Sequence, residues 1–286
     1  MTAAMRTTRG SIVLLGVVLL VGVVLFPYLW VLLSSFKPTI EIFTVPPTIL
    51  PSAPSLDNYL AAVGVVFGDQ ESESTLPQTF RNSLFIASVS TVWVMLLAVL
   101  AGYSFARIRF RFRTPLLLII LGLRMLPAIV MVVPIYILIQ RIGLLDTPWA
   151  LILVYSAFQA PFAIWLLSVF LQDIAEELED AARVDGCGRL GVLARIILPL
   201  ALPQIAVVAI FVYLGCWNDF LIALVLTSTD ASQTMPVGLA GMQTSYEIRW
   251  GIMTAGAIVH SIPSILFVLF AQRYIVSGMT LGAIKG

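Results

Sequence analysis

The chain has 286 residues, 60% of them hydrophobic and only 11% charged, with a formal net charge of +1 and a mean hydropathy of +1.02. A soluble domain is nearer half apolar and a quarter charged, so the composition excludes an ordinary globular domain and indicates an integral membrane protein of about six spans. Charge balance gives no reason to expect nucleic acid, and two cysteines, one histidine and no GxxxxGK[ST] exclude a disulfide framework, a thiolate or histidine-rich metal centre and a P-loop.

Residues 1–11 carry Arg6 and Arg9. Residues 12–33 follow without a charge, roughly 33 Å as a helix and enough to cross a bilayer. No short apolar core with a small-residue cleavage site is evident, so this reads as an uncleaved first span. Residues 34–77 are polar, proline-rich and acidic, with Glu41, Asp57, Asp69, Glu71 and Glu73 against Lys37, and read as an external loop. Disorder is expected over 68–77.

Residues 78–105 form the second predicted span. Residues 106–114 read ARIRFRFRT, with Arg107, Arg109, Arg111 and Arg113. A basic strand for nucleic acid is one reading of that alternation. Beside a span, a cytoplasmic anchor that follows the positive-inside rule is the better one. The third span, 115–139, contains Arg124, Pro127 and Pro134. A tight external turn leads to the fourth span, 149–171, with Tyr155, Gln159 and Pro161.

The longest interruption of the second half comes next, a loop over 172–200. From Asp173 to Pro203 it reads DIAEELEDAARVDGCGRLGVLARIILPLALP, and holds six of the fifteen acidic residues. EELEDAARV is a good helix former, with Ile174, Leu178, Ala181 and Ala182 at 3–4 spacing on one face. Gly186 and Gly188 interrupt it, since glycine tolerates the positive φ of a sharp turn. A second amphipathic run, 190–198, meets Pro199. Two short angled helices on the aqueous side make a knob that a partner can hold. The fifth span, 201–226, contains Trp217, Asn218 and Asp219. Residues 227–250 are external, 251–274 form the sixth span, and 275–286 are an internal tail.

Charge sets the orientation. Arg6, Arg9, Arg107, Arg109, Arg111, Arg113, Arg183, Arg189, Arg195, Arg273 and Lys285 fall on one side, against Lys37, Arg81, Arg141 and Arg249 on the other. This puts both termini and the 172–200 loop in the cytoplasm of a multi-pass membrane protein. Inside the membrane, Asp219 is expensive to bury. It either lines a wet translocation path with Asn218 or makes a structural hydrogen bond between helices. Arg124 either pairs with a carboxylate, Asp219 among them, or snorkels toward a water-filled region. Gln159 and Tyr155 have groups suited to sugar hydroxyls. His260 reads as a packing residue. The prolines at 27, 127, 134, 161, 203 and 263 are expected to be kinks.

The 172–200 loop resembles the EAA motif of the membrane subunits of ATP-binding-cassette importers: Glu-Ala-Ala, three residues, Gly, nine residues, then Ile-x-Leu-Pro. Asp180, Ala181 and Ala182 stand at the first positions, Gly186 at the next, and Ile196, Leu198 and Pro199 at the last. Asp180 replaces the leading glutamate, with Glu179 beside it and Asp185 before the glycine. PPTILPSAPSLDNY, WNDFLIALVLT and the tail GMTLGAIKG are similar to the matching segments of sugar-importer permeases, the smaller maltose-type permease in particular.

The resemblance implies an all-α fold of six transmembrane helices in the type I importer architecture, as one permease domain over 1–286. It implies that residues 172–200 couple to an ATPase. It also implies a second homologous permease, two ATPase subunits that hold the ATP and Mg, and an extracytoplasmic solute-binding protein. The external loop would touch that protein through Gln243, Tyr246 or Arg249. The chain itself would be no enzyme and hold no cofactor, and its cargo would be a di- or oligosaccharide. The competing reading is a self-sufficient secondary transporter that uses Asp219 and Arg124 for ion coupling; it requires inverted repeats, and no convincing repeat is present. An intramembrane enzyme lacks any nucleophile–base pair or metal-ligand spacing.

Overall fold

The computed structural model describes residues 2–64, 74–243 and 248–282, and its regular elements are helical. In chain order they are α1 (Thr2–Ser35), α2 (Thr39–Ile42), α3 (Asp57–Ala62), α4 (Leu76–Arg107), α5 (Arg113–Leu123), α6 (Ala128–Arg141) and α7 (Pro148–Gln172). Then come α8 (Glu177–Val184), α9 (Arg189–Val192), a π-helical segment (Leu193–Ile197), α10 (Leu198–Trp217), α11 (Leu221–Leu226), α12 (Met235–Gly241) and α13 (Trp250–Gly282). Five stretches among the described residues are long and apolar enough to cross a membrane: Val13–Ser35, α4, α7, Arg189–Trp217 and Trp250–Phe270. The pair α5 and α6 makes a sixth if counted as one span.

That pair is where the structure departs most from the sequence reading. The expected continuous third span is two helices bent by 91°. Pro127 explains the break. It has no N–H to continue a helix, and it pushes Leu126 out of the helical region. The last turn of α5 tightens through Arg124 N–H to Leu121 O (3.1 Å) and Met125 N–H to Gly122 O (3.0 Å), and α6 restarts at Ala128. Pro27, Pro134, Pro161, Pro203 and Pro263 instead sit inside α1, α6, α7, α10 and α13.

The chain divides into two compact units, residues 1–77 with 239–261 and residues 78–238 with 262–286. In the first, α1 exposes apolar side chains all round, from Val13 to Leu29, as a helix solvated by lipid would. The segment after it is ordered around two buried charges. Lys37 is 3% exposed, donates to Thr48 O, and its Nζ lies 4.9 Å from the centre of the Trp30 ring. Glu41 accepts from the Thr48 hydroxyl (2.7 Å), the Ser52 hydroxyl (2.7 Å) and the Ser52 N–H (3.0 Å). The Ser52 and Thr48 hydroxyls, helped by the Ser52 N–H and the Lys37 ammonium, outweigh burial and hold the Glu41 carboxyl below its ordinary range. Asn58 Nδ2 closes the loop by donating to Ser35 O and Lys37 O, at 2.9 and 2.8 Å. Of the stretch 68–77 expected to be disordered, residues 68–73, with Asp69, Glu71 and Glu73, lie outside the described residues, while Leu76 and Pro77 open α4.

The second unit holds the core. Val94, Ala98, Leu151, Ala163, Leu167, Val208, Val212 and Ala223 are fully buried where α4, α7, α10 and α11 meet, and Trp217 stacks on Tyr213 at 5.7 Å. Small residues let the helices close up. A Cβ on Gly102 would sit 3.0 Å from Leu167 Cβ, and one on Gly238 would sit 2.8 Å from Thr79 Oγ1. α7 starts where it does because Thr147 caps it, accepting from Ala150 N–H at 3.3 Å, with Pro148 at the first turn.

The α6–α7 turn is clamped by Asp146, whose φ of 59° lies in the left-handed region. Its carboxylate accepts from Ser228 N–H (2.8 Å), Thr229 N–H (3.0 Å), the Thr229 hydroxyl (2.8 Å) and the Ser232 hydroxyl. Burial would raise the Asp146 carboxyl, but these four donors outweigh it and hold the pKa at about 2. Asn82 secures the same segment from α4, donating to Asp230 O (2.8 Å) and Gln233 O (2.9 Å).

Candidate functional site

Two places gather the residues singled out by sequence. The first is the 172–200 segment. α8 begins with acids and ends with Arg183, which suits the helix dipole. It ends in a Schellman turn: Gly186 has φ +87°, its N–H donates to Arg183 O (3.0 Å), and Cys187 N–H donates to Ala182 O (3.0 Å). Glycine is therefore required by conformation; a Cβ there would meet nothing within 4 Å. α9 then runs into the π segment, in which Leu198 N–H reaches back to Leu193 O, a widened turn often found at functional sites.

The buried face of α8 keeps only part of the face the 3–4 spacing groups, since Ile174 and Ala182 pack against the core while Leu178 and Ala181 do not. Glu179 (2% exposed) and Ala182 (6%) point inward, while Leu178 (46%) and Val184 (88%) point out, together with Ala181. Ala182 packs with Tyr103, Ala106, Leu171, Val192, Leu193, Ile197 and Ala201, joining the segment to the ends of α4, α7 and α10. The reason is electrostatic. Glu179 accepts from Arg107 Nε at 2.5 Å and from the Tyr103 hydroxyl at 2.8 Å, and those bonds fix which side of the helix turns inward. Asp180, one residue on, is exposed, and Arg183 lies 3.2 Å away. Asp185, Gly186 and Pro199 are also exposed, and Ile196 and Leu198 half-buried. The motif's two neighbouring carboxylates thus divide: one inside the protein, one available to a partner. Sequence reasoning did not assign Tyr103 and Arg107 to this site. Their i, i+4 spacing at the end of α4 was the available signal.

The second place is polar and lies between α7 and α10. Asp219 sits in the break between α10 and α11. Its Oδ1 accepts from the N–H groups of Ile222 (3.1 Å) and Ala223 (3.2 Å) and from the Tyr155 hydroxyl (2.9 Å). The two amide bonds cap α11, and the Tyr155 bond ties it to α7. One turn along, Gly215 makes room for Gln159, whose amide would collide with any Cβ there. Gln159 Oε1 accepts from Arg124 Nη1 at 3.1 Å, and the Arg124 guanidinium lies 4.6 Å from the Phe162 ring centre. The Arg124–Asp219 pairing raised by sequence is not formed: each has another partner. Asn218 is exposed, and its amide returns to Leu214 O at 2.9 Å.

Of the three external candidates, Gln243 and Arg249 are exposed beside an isolated bridge between Gln243 and Ile248. Tyr246 lies outside the described residues. Among the described residues no cluster of three or more His, Cys, Asp or Glu side chains is arranged to hold a metal.

Residues 95–281 match the family described as "Binding-protein-dependent transport system inner membrane component". The chain is 40% identical over 270 residues to the trehalose transport system permease protein SugB of Mycobacterium tuberculosis, covering 94% of this chain and 95% of the relative. It is 34% identical to the sulfoquinovosyl glycerol transport system permease protein SmoH of Agrobacterium fabrum, over 92% and 89% of the two chains. It is 33% identical to the trehalose/maltose transport system permease protein MalG of Thermococcus litoralis, over 97% and 98%. Its fold is similar to a chain in the crystal structure of a bacterial ABC transporter involved in the import of the acidic polysaccharide alginate. The TM-score is 0.78 at 20% identity, over 96% and 98% of the chains.

Proposed function

Because this chain belongs to the family of inner membrane components of binding-protein-dependent transport systems, we propose that it is the subunit through which a di- or oligosaccharide crosses the cytoplasmic membrane. Membership makes it a multi-pass inner membrane protein and the permease part of an ABC importer, with no catalysis and no cofactor on its own chain. The sugar is argued from the relatives, which are named for trehalose, trehalose/maltose and sulfoquinovosyl glycerol.

The coupling role rests on one observation above the others. α8 offers Asp180, Ala181 and Val184 to the outside while Gly186 fixes the turn behind them and Glu179 anchors the helix from within. This is a rigid, small-faced surface on which an ATPase subunit docks. Two such ATPases carry the ATP and Mg. A second homologous permease completes the pore, and an extracytoplasmic binding protein delivers the sugar near Gln243, Tyr246 and Arg249. The basic residues flanking the spans favour cytoplasmic termini, which puts α8 on the same side as ATP. ATP binding closes the ATPases, moves α8, and switches the paired bundles from inward-open to outward-open. Arg124, Gln159, Asn218 and Asp219 line or brace the path between α7 and α10.

The test is a crosslinker placed at Ala181 or Asp185 in the assembled importer, with sugar uptake measured in vesicles. Capture of an ATPase subunit, and uptake that stops without it, is the expected result. Uptake by this chain alone, driven by an ion gradient, would replace the proposal with a secondary transporter.

A further inference from the structure

Glu179 is a carboxylate 2% exposed, Arg107 is a guanidinium whose side chain is 6% exposed, and they meet at 2.5 Å. Burying such a pair costs hydrogen bonds to water, so it persists where further hydrogen bonds satisfy the groups around it. Here such bonds come from three segments. Tyr103 donates to Glu179 Oε2 at 2.8 Å. Arg107 Nη2 donates to Ile174 O at 2.6 Å, in the stretch joining α7 to α8. Arg183, one turn along α8, lies 3.7 Å from Glu179 Oε2. Tyr103 and Arg107 occupy the last turn of α4, one above the other.

We propose that Tyr103, Arg107 and Glu179 are positioning residues that lock the coupling helix α8 to the end of α4, so that the two move as one body during the transport cycle. The inference rests on α8 being the ATPase-docking element. It adds which spanning helix receives the motion. Ala182 and its neighbours attach α8 by apolar contacts, and apolar contacts slide where a buried, charge-assisted hydrogen bond flanked by the Tyr103 and Ile174 bonds does not. A partner that moves Asp180 and Ala181 therefore pulls α4 through a link with fixed geometry. The coupling surface and the anchor are adjacent residues on one turn, so little motion is lost between them.

Distance measurement between spin labels tests this directly. Labels go on exposed Leu100 of α4 and Leu178 of α8, in the complete importer with Cys187 and Cys216 replaced by serine. The expected Leu100–Leu178 distance is the same with and without ATP in the otherwise wild-type protein. A shift of several ångströms between those states overturns the proposal. Glu179→Gln removes the charge while keeping the shape. It should leave ATPase subunits bound and hydrolysing, broaden the label distance, and lower sugar moved per ATP about tenfold. Arg107→Lys, which keeps charge but loses the fork, should fall between. Unchanged sugar per ATP in the Glu179→Gln complex also overturns the proposal. If the wild-type complex never retains an ATPase, the fault lies with the assignment of α8, and the label distance in that chain is read separately.

Discussion

Gly186 gives the sharpest quantitative prediction, because its surroundings separate conformation from packing. It has φ +87°, and a Cβ would meet nothing within 4 Å. Replacing it by alanine therefore adds no clash and costs only the left-handed conformation. That is about 1–2 kcal/mol for an L residue, reduced by about 0.4–1 kcal/mol because alanine also restricts the unfolded chain. The net is about 1 kcal/mol, or roughly fivefold in the equilibrium between formed and open turn. Asparagine, which tolerates this region, should cost less. Proline is different in kind. Its φ near −65° is incompatible, and it deletes the N–H that bonds Arg183 O at 3.0 Å. Hydrogen exchange of the Gly186 and Cys187 amides in detergent reads the turn. Co-purification of ATPase subunits and sugar uptake read its use. The Gly186→Ala variant should exchange roughly fivefold faster and still assemble. The Gly186→Pro variant should insert in the membrane but neither retain ATPase nor transport. Normal assembly and uptake by the proline variant would refute the view that this turn presents the docking surface.

Asp146 should contribute pH-dependent stability. Its folded pKa of about 2 is below the ordinary 3.8, so its contribution is complete above about pH 4 and lost as pH falls toward 2. After allowance for solvent exposure it is about 1–2 kcal/mol. A gap in melting midpoint between wild type and Asp146→Asn should be present at pH 6 and shrink to a small fraction as pH falls toward 2; a gap independent of pH would contradict the clamp. Gly238→Ala should destabilise by about 1–3 kcal/mol through the Thr79 side chain, and Thr79→Ala in the same chain should recover most of it in thermal melts. Asp219→Asn keeps an oxygen to cap α11, so uptake should remain within a few fold of wild type. Abolished uptake with normal assembly would instead make the carboxylate charge part of the transport step.

Apolar length made most of the helices legible, because a span needs about twenty apolar residues. α7 occupies Pro148–Gln172, close to the stretch expected from residues 149–171, since a proline and a threonine cap mark its start. The break at Arg124–Pro127 was less legible. Pro127, Pro134 and Pro161 look alike in sequence, and only Pro127 interrupts a helix, because the contacts around α5 and α6 decide which proline bends and which is absorbed. The inward face of α8 was only partly legible for a related reason. Apolar periodicity groups Leu178 with Ala182, but a buried carboxylate anchored from a helix more than seventy residues earlier turns Glu179 and Ala182 inward and leaves Leu178 exposed. Periodicity counts side chains as apolar or polar and cannot see a polar group whose partner is distant in the chain. Asp219 shows the same limit: its cost in a membrane was evident, while its role as a cap depends on α10 ending at Trp217.

The widened turn at Leu193–Ile197 sets the angular phase between the short α9 and the long α10. An α-helix advances about 100° per residue, so one residue of extra winding decides which side of the rod faces each neighbour. Here it leaves Leu193, Ile197 and Ala201, spaced at intervals of four, all on the buried side. A push applied at α9 would therefore pass into α10 through one unbroken helical stretch, Arg189–Trp217, with no loop between to absorb it.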